Sequence, residues 1–492
     1  LELVLSNHER KCLSCVRSTN CELQKLANEY GCEEGHFEGA SVHYEKDEST
    51  AFLVRDNDKC ILCRRCVAVC KNVQEVSVIG ATERGFSTKI SCAFDEDLSK
   101  NPCVACGQCI NVCPTGALHE KEEIDDVKAA LADPEKVVIV GCAPSVRAGL
   151  GEEFGYPIGT DVEGKMVAAL RRLGFNKVFD VDMTADLTIM EEGYEFLERL
   201  QDKTAALPML TSCSPGWIRF IEFNYPELLP HLSTCKSPQQ MFGAMYKTYF
   251  AEKLGLNPED IVFVSAIPCT AKKFEVGRDG QDVNGMPGVD IAVTTRELGR
   301  MIEMAGIDFK ALADEKFDQP IDIGSGAGAI FGATGGVMEA ALRTAAEVIE
   351  GKPLEKLEFD DVRGTEGIKF AKYKLGDVEL KVAVASGTAN ANKLLRGVQD
   401  GTYDVQFIEI MACPGGCVNG GGQPLQPASV RNNVDLKSLR ASVLYKADSE
   451  KLEFRKSHEN PLIKKVYEEF LGEPNSHKAH ELLHTHYVKR GL

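Results

Sequence analysis

The sequence predicts an α/β protein: a large domain built on parallel sheets in the second half, preceded by a small α+β domain and a short cysteine module. Three observations predict this. At 492 residues the chain exceeds what one hydrophobic core organises, so two to four domains are expected. Cysteine is dense from Cys12 to Cys113 and sparse beyond, which sets a boundary near residue 123. After that boundary, short β-rich runs alternate with helical stretches, the pattern of a parallel sheet wrapped by helices. The expected segments are 1–48, 49–122, 123–435 and 436–492.

Segment 1–48 carries His8, Cys12, Cys15 and Cys21, three thiols with an imidazole in a fourth position. A His-ligated 4Fe-4S cluster is the sharper reading. A surface histidine beside a three-cysteine cluster, or a zinc site, is the alternative. Segment 49–122 holds an internal repeat, CxxCxxCxxxC, at Cys60-Ile-Leu-Cys63-Arg-Arg-Cys66-Val-Ala-Val-Cys70 and again at Cys103-Val-Ala-Cys106-Gly-Gln-Cys109-Ile-Asn-Val-Cys113-Pro114. Three thiolates from one tight loop cap three irons of a cube, while the fourth, launched from the following helix, reaches the other cube. That assigns Cys60, Cys63, Cys66 and Cys113 to one 4Fe-4S cluster and Cys103, Cys106, Cys109 and Cys70 to the second. Zinc would want two spaced pairs instead of two identical quartets. The segment is thus expected to be a ferredoxin-like domain with two 4Fe-4S clusters. Cys32, Cys92, Cys142 and Cys235 stand outside any motif and read as buried thiols.

In segment 123–435, strands are expected at Lys136–Val140, Lys177–Val181, Pro208–Thr211, Ile261–Ile267, Ile291–Thr294, Lys381–Ala385 and Val405–Met411. Three motifs follow such strands: Thr211-Ser-Cys213-Ser214-Pro215-Gly-Trp217, Pro268-Cys269-Thr-Ala-Lys272-Lys-Phe-Glu275, and Glu409-Ile-Met-Ala-Cys413-Pro-Gly-Gly-Cys417. Strand carboxyl ends are where α/β sheets gather ligands, so thiols converging there from three strands point to another metal cluster. The glycines permit close backbone approach. The Gly324–Gly336 stretch has a GxGxxA pattern but lacks the strand before it and the acidic residue after it that a dinucleotide loop requires. Close backbone packing around the site accounts for it better. The tail, 436–492, is charged and reads as a helical wrap, with Tyr467, Phe470 and Leu471 touching the main body.

A net charge of −18 argues against nucleic acid as a partner and suits basic or charge-steered protein partners. No apolar run is long enough to cross a bilayer, and Leu1 opens on no basic, apolar, small-residue leader. Nineteen cysteines clustered at CxxC spacing favour metal ligation in a reducing, cytoplasmic setting.

The three motifs, in this order behind a ferredoxin-like module, resemble the signatures of FeFe (iron-only) hydrogenases of the clostridial type, and the likeness covers nearly the whole chain. The resemblance implies an α/β H-cluster domain with parallel sheets. It implies that Cys269, Cys413 and Cys417 bind the 4Fe-4S part of the H-cluster, Cys417 bridging to a diiron subsite with CO, cyanide and azadithiolate. Ala143, Pro144, Ser145, Gln239, Ile267, Lys272, Phe331 and Met411 become pocket residues. An ammonium at Lys272 would donate a charge-assisted hydrogen bond to bound cyanide; alone, it would read as a solvated surface lysine. The family's first signature carries two adjacent cysteines, a proton relay followed by a cubane ligand. Here Cys213 takes the relay place and Ser214 the ligand place. Either Ser214 ligates through oxygen, or the loop shifts so that Cys213 ligates and Ser214 relays, or only three thiolates hold the cubane. Glu192, Glu195 and Ser233 match the family's proton path, although the i, i+3 spacing of the two glutamates alone would read as a solvated helix face. Expected partners are ferredoxin, or an NAD(P)-linked flavoprotein subunit of an electron-bifurcating complex, together with maturation proteins. The opening inside a cysteine module points to a preceding 2Fe-2S domain. The alternative reading is a non-catalytic hydrogen sensor or an iron-sulfur assembly protein of the same superfamily.

Overall fold

Eight strands frame the second half of the chain: Val137–Cys142 (β1), Lys177–Asp180 (β2), Met209–Leu210 (β3), Ile261–Ile267 (β4), Ile291–Thr294 (β5), Ile368–Leu375 (β6), Val378–Ser386 (β7) and Phe407–Met411 (β8). In the computed structural model, which describes all residues except 34–36, 38, 320–323, 377 and 492, they form two four-stranded sheets. The first has the order β5-β4-β1-β2 and is parallel throughout. The second, β6-β7-β8-β3, is parallel from β7 to β3, but β6 runs antiparallel to β7. The expectation of parallel sheets thus needs one correction. Strand β6 has no apolar run to announce it, because Lys369, Lys372 and Lys374 interrupt it and much of it stays open to solvent. It is the charged edge strand that caps an otherwise parallel sheet.

The parallel strands bring their carboxyl ends together. Ala143 and Pro144 follow β1, Pro268 and Cys269 follow β4, Ala412 and Cys413 follow β8, and Thr211 to Ser214 follow β3. Chain turns from both sheets therefore open toward one point. Proline starts the helices Pro144–Gly149 and Pro215–Asn224, where its missing N–H costs nothing. The helix Asp182–Gln201 is buried along most of its first four turns, polar residues included.

The ferredoxin-like segment has two small antiparallel pairs, Val54–Arg55 with Leu118–His119 and Gly80–Thr82 with Lys89–Ser91. Its sequence repeat is also a backbone repeat: Leu62 and Arg64 in the first copy, and Ala105 and Gly107 in the second, all adopt left-handed φ between 54° and 66°. This segment is tied to the larger domain by backbone contacts. Gln108 donates to the Asn419 carbonyl at 2.9 Å, Thr270 to the Ala105 carbonyl at 2.7 Å, and Gln74 to the Ala412 carbonyl at 2.9 Å. Gly107 fits only as glycine, since a Cβ there would lie 2.5 Å from Thr270 Oγ1 and 2.8 Å from Gly421 Cα.

The tail holds short helices at Leu436–Lys446, Pro461–Val466 and His477–Leu483. Tyr467 and Leu471 are buried, and the Phe470 ring meets Tyr249 at a tilt, 5.3 Å between centroids. Among the described residues, no helix is long and apolar enough to cross a membrane.

Candidate functional site

Where the strand ends meet lies a cavity of about 90 Å³. Its lining includes Ala143, Pro144, Ser145, Gln239, Ile267, Lys272, Phe331 and Met411, together with Cys213, Ser214, Cys269, Cys413 and Cys417. The predicted pocket, first-signature and cysteine positions are thus all brought to one space. Cys413 is buried, while Cys213, Cys269 and Cys417 keep some surface. Burial pushes the Cys417 thiol up to about 12 and the Cys213 and Cys413 thiols well above their usual range; neighbouring thiols add to the rise at Cys413 and Cys417. Closely packed thiols that resist ionising together are a donor set completed by a cationic iron cluster. Two polar atoms support the same fit: Ser145 Oγ and Gln239 Oε1 are buried with no hydrogen-bond partner. Lys272 Nζ is fixed at 2.9 Å from Glu275, whose same oxygen accepts from Ser237 at 2.8 Å and Gln239 at 3.1 Å. Ser214 faces the cavity, and its Oγ accepts the Ala412 N–H at 3.1 Å.

The glycine stretch 324–336 only partly serves this cavity. Phe331 and Gly332 line it, whereas Gly326 and Gly328 make room for Asp448 and for the Asp182 backbone.

Behind Cys213 stand the two glutamates, which helix spacing alone placed on a solvated face. Glu192 is fully buried, and neither carboxylate oxygen has a hydrogen-bond partner. Burial raises its pKa to about 8, with the charge of Glu195 adding to the rise and the nearby Ser233 hydroxyl opposing it. Glu195 accepts from Ser233 Oγ at 2.8 Å and pairs with Arg199 at 2.6 Å. Cys213, Glu192, Ser233 and Glu195 therefore lie in order from the cavity toward the partly exposed Arg199.

Each cysteine quartet has its own smaller cavity. Cys60, Cys63, Cys66 and Cys113 line one, and Cys70, Cys103, Cys106 and Cys109 line the other. The exchange of Cys70 and Cys113 between the two repeats is what the sequence reading assigned. Cys106 also borders the large cavity. His8, Cys12, Cys15 and Cys21 line a third. His8 Nδ1 is buried without a partner, and burial and the Lys59 charge lower its pKa, favouring the neutral ring that ligates metal.

Comparison with known proteins meets this geometry at every segment. Residues 136–421 match the family described as iron only hydrogenase large subunit, C-terminal domain, and residues 434–490 match iron hydrogenase small subunit. The chain belongs to the iron-only (FeFe) hydrogenase family. Residues 1–36 match the NADH-ubiquinone oxidoreductase-G iron-sulfur binding region, and 51–119 the ferredoxin-like domain of NADH-quinone oxidoreductase subunit 3. The chain is 53% identical to the NADP-reducing hydrogenase subunit HndD of Solidesulfovibrio fructosivorans, over 100% of this chain and 84% of that one. It is 45% identical to iron hydrogenase 1 of Clostridium pasteurianum, over 99% of this chain and 84% of the relative. A solved structure of the FeFe-hydrogenase HydA1 from Chlamydomonas reinhardtii superposes with a TM-score of 0.67 at 43% identity, covering 76% of this chain and 100% of that one. This hydrogenase chain is accordingly an oxidoreductase with iron-sulfur-binding regions ahead of an H-cluster-type fold.

Several residues that shape the site were given no role by the sequence. Glu275 holds Lys272, and its place in the second motif was a usable signal. Glu409, at the head of the third motif, is fully buried and accepts the Gly335 and Met338 amides at 2.6 and 2.7 Å, pinning the loop that carries Phe331. Thr234 and His484, which meet beside Glu195, carried no local signal.

Proposed function

We propose that this chain interconverts protons, electrons and molecular hydrogen. Cys269, Cys413 and Cys417 would hold the cubane of the H-cluster; the other cavity-lining residues would enclose its diiron subsite. Three accessory 4Fe-4S clusters would sit in the His8, Cys60 and Cys103 quartets. When bound, the H-cluster supplies the proton-reducing chemistry and the accessory clusters supply single-electron conduction. The protein supplies the rest. Lys272, anchored by Glu275, presents an ammonium to the cavity, and Ser145 and Gln239 present unpaired polar atoms for ligands of the subsite.

Protons enter on the glutamate side. The Cys213 thiol, held protonated by burial, is placed to give a proton into the cavity and take one back from Glu192. With a pKa near 8, Glu192 is neutral before that transfer and charged after it at working pH. Ser233, near enough to Glu192 to lower its pKa, donates to Glu195, and Arg199 marks the outer end. The observation that carries the proposal is this buried sequence of donors ending in a cavity with three convergent thiols. Infrared bands of CO and cyanide in the matured protein test the cofactor. Glu195→Gln tests the route: turnover is expected to collapse by two orders of magnitude or more, roughly, with iron content intact, and unchanged hydrogen evolution would dispose of the assignment.

For the electron partner we favour an NAD(P)-linked flavoprotein subunit in the cytoplasm, supported by the HndD relative and by the two oxidoreductase-type N-terminal regions. Ferredoxin is the alternative. Ser214 favours a second reading, a non-catalytic sensor or assembly protein, because the cubane would lack its usual fourth thiolate. Cys213, intact at the relay place, speaks for catalysis, and a hydrogen-evolution assay after maturation separates the two.

A further inference from the structure

One charged side chain borders both cavities of the ferredoxin-like segment. The strand Val54–Arg55 pairs with Leu118–His119, Arg55 lying opposite Leu118, and these two residues line the Cys60 cavity and the Cys103 cavity alike. They form the wall between the quartets. Arg55 is buried, and its guanidinium is engaged unevenly: Nη2 donates to Asp47 at 2.9 Å, Nη1 donates to the Cys92 sulfur at 3.6 Å, and Nε has no hydrogen-bond partner. Asp47 is fixed in turn. Main-chain bonds join it to Arg55 at 2.9 and 3.0 Å, and its carboxylate accepts the Leu98 amide at 2.9 Å. Asp47 lines neither cavity, so the ion pair presents its cationic side to the two quartets and keeps its anionic side away. A buried donor without an acceptor is costly, and one kept at this wall points to an acceptor that the polypeptide does not supply.

We propose that Arg55 sets the reduction potentials of both ferredoxin-like clusters and keeps the two reducible together. It rests on the reading of the two quartets as 4Fe-4S sites. Each cluster gains one negative charge with one electron, and a fixed cation in a site poor in water favours the reduced form. Because one guanidinium borders both sites, it acts on both in the same direction, and neither becomes a trap for an electron passing between them. A thiolate or sulfide sulfur is the kind of acceptor that Nε lacks, and a hydrogen bond to cluster sulfur also favours the reduced form. Asp47 has the opposite part: it orients the guanidinium, and its own charge offsets some of the effect.

The test is a redox titration of the reconstituted full chain, followed by electron paramagnetic resonance, with Arg55→Gln, Arg55→Lys and Asp47→Asn beside the wild type. Arg55→Gln is expected to lower the reduced-to-oxidised ratio of both clusters at a given poise by roughly threefold to tenfold, tenfold being about 59 mV for a one-electron couple. Arg55→Lys keeps the charge and should restore most of that ratio. Asp47→Asn removes the opposing anion and should shift both clusters the other way, toward easier reduction. The opposite signs matter, since a general loosening of the segment would move both variants in one direction. Unchanged potentials in Arg55→Gln, a shift confined to one cluster, a lysine variant no better than the glutamine, or like-signed shifts in Arg55→Gln and Asp47→Asn would each overturn the proposal. Should Arg55→Gln fail to fold with Asp47 left unpaired, Asp47→Asn decides alone: easier reduction supports the proposal, and any other result overturns it. Absence of acid-labile sulfide and of cluster signals in the wild type would instead overturn the assignment of the quartets.

Discussion

Glu192→Gln separates the structural cost of a buried carboxyl from its use. The side chain is fully buried without a hydrogen-bond partner, and its pKa rises from an ordinary 4.5 to about 8. The folded chain therefore keeps a proton that the unfolded chain releases between those values. Stability is full below pH 4.5, falls as pH rises through the window, and levels off above pH 8. At about 1.4 kcal/mol per pH unit, the loss is on the order of 3 kcal/mol by pH 7 and 5 kcal/mol by pH 8. Glutamine fills nearly the same volume and stays neutral throughout. Burying its amide adds a cost of about 1–3 kcal/mol, but that cost does not vary with pH. The readout is therefore a slope. Unfolding of wild type and variant, followed side by side across this range, should show the variant gaining on the wild type as pH rises. Turnover of the same variant should fall by roughly a hundredfold or more, because an amide cannot carry the proton. Parallel stability curves would refute the burial argument, and retained turnover would refute the relay role.

Ser214→Cys places a softer ligand where the hydroxyl faces the cavity, so tighter iron retention under mild chelation and an altered electron paramagnetic resonance signal of the catalytic cubane are expected; an unchanged signal would mean that this position does not meet iron. Gly107→Ala forces a Cβ within 2.8 Å of backbone at a φ of +66°. It should cost about 1–3 kcal/mol of stability and slow reduction of the H-cluster while leaving accessory cluster content intact, and an unaltered melting temperature would count against the tight domain contact.

What could be read in advance depended on how local the cause was. The CxxC loops were legible because a cubane takes three ligands within seven residues, and the same geometry puts Leu62, Arg64, Ala105 and Gly107 in one repeated conformation. The three motifs were legible because strand ends in a parallel sheet converge, whatever the loops contain. Strand β6 was not, since an edge strand interrupted by three lysines has no apolar signature. The glycines at 326 and 328 signalled close packing, but only the fold could show that they yield to Asp448 and Asp182. The glutamates mark the sharpest limit. Three apart on a helix, Glu192 and Glu195 look solvated, and their burial is imposed by elements far away in sequence. Ser233 meets Glu195 across 38 residues, and His484 meets Thr234 across 250. Burial of an acidic pair leaves no mark in its own segment, because the cost falls on one element and the compensation comes from another. The proton route proposed from a helix and a loop is therefore visible only once both are in place.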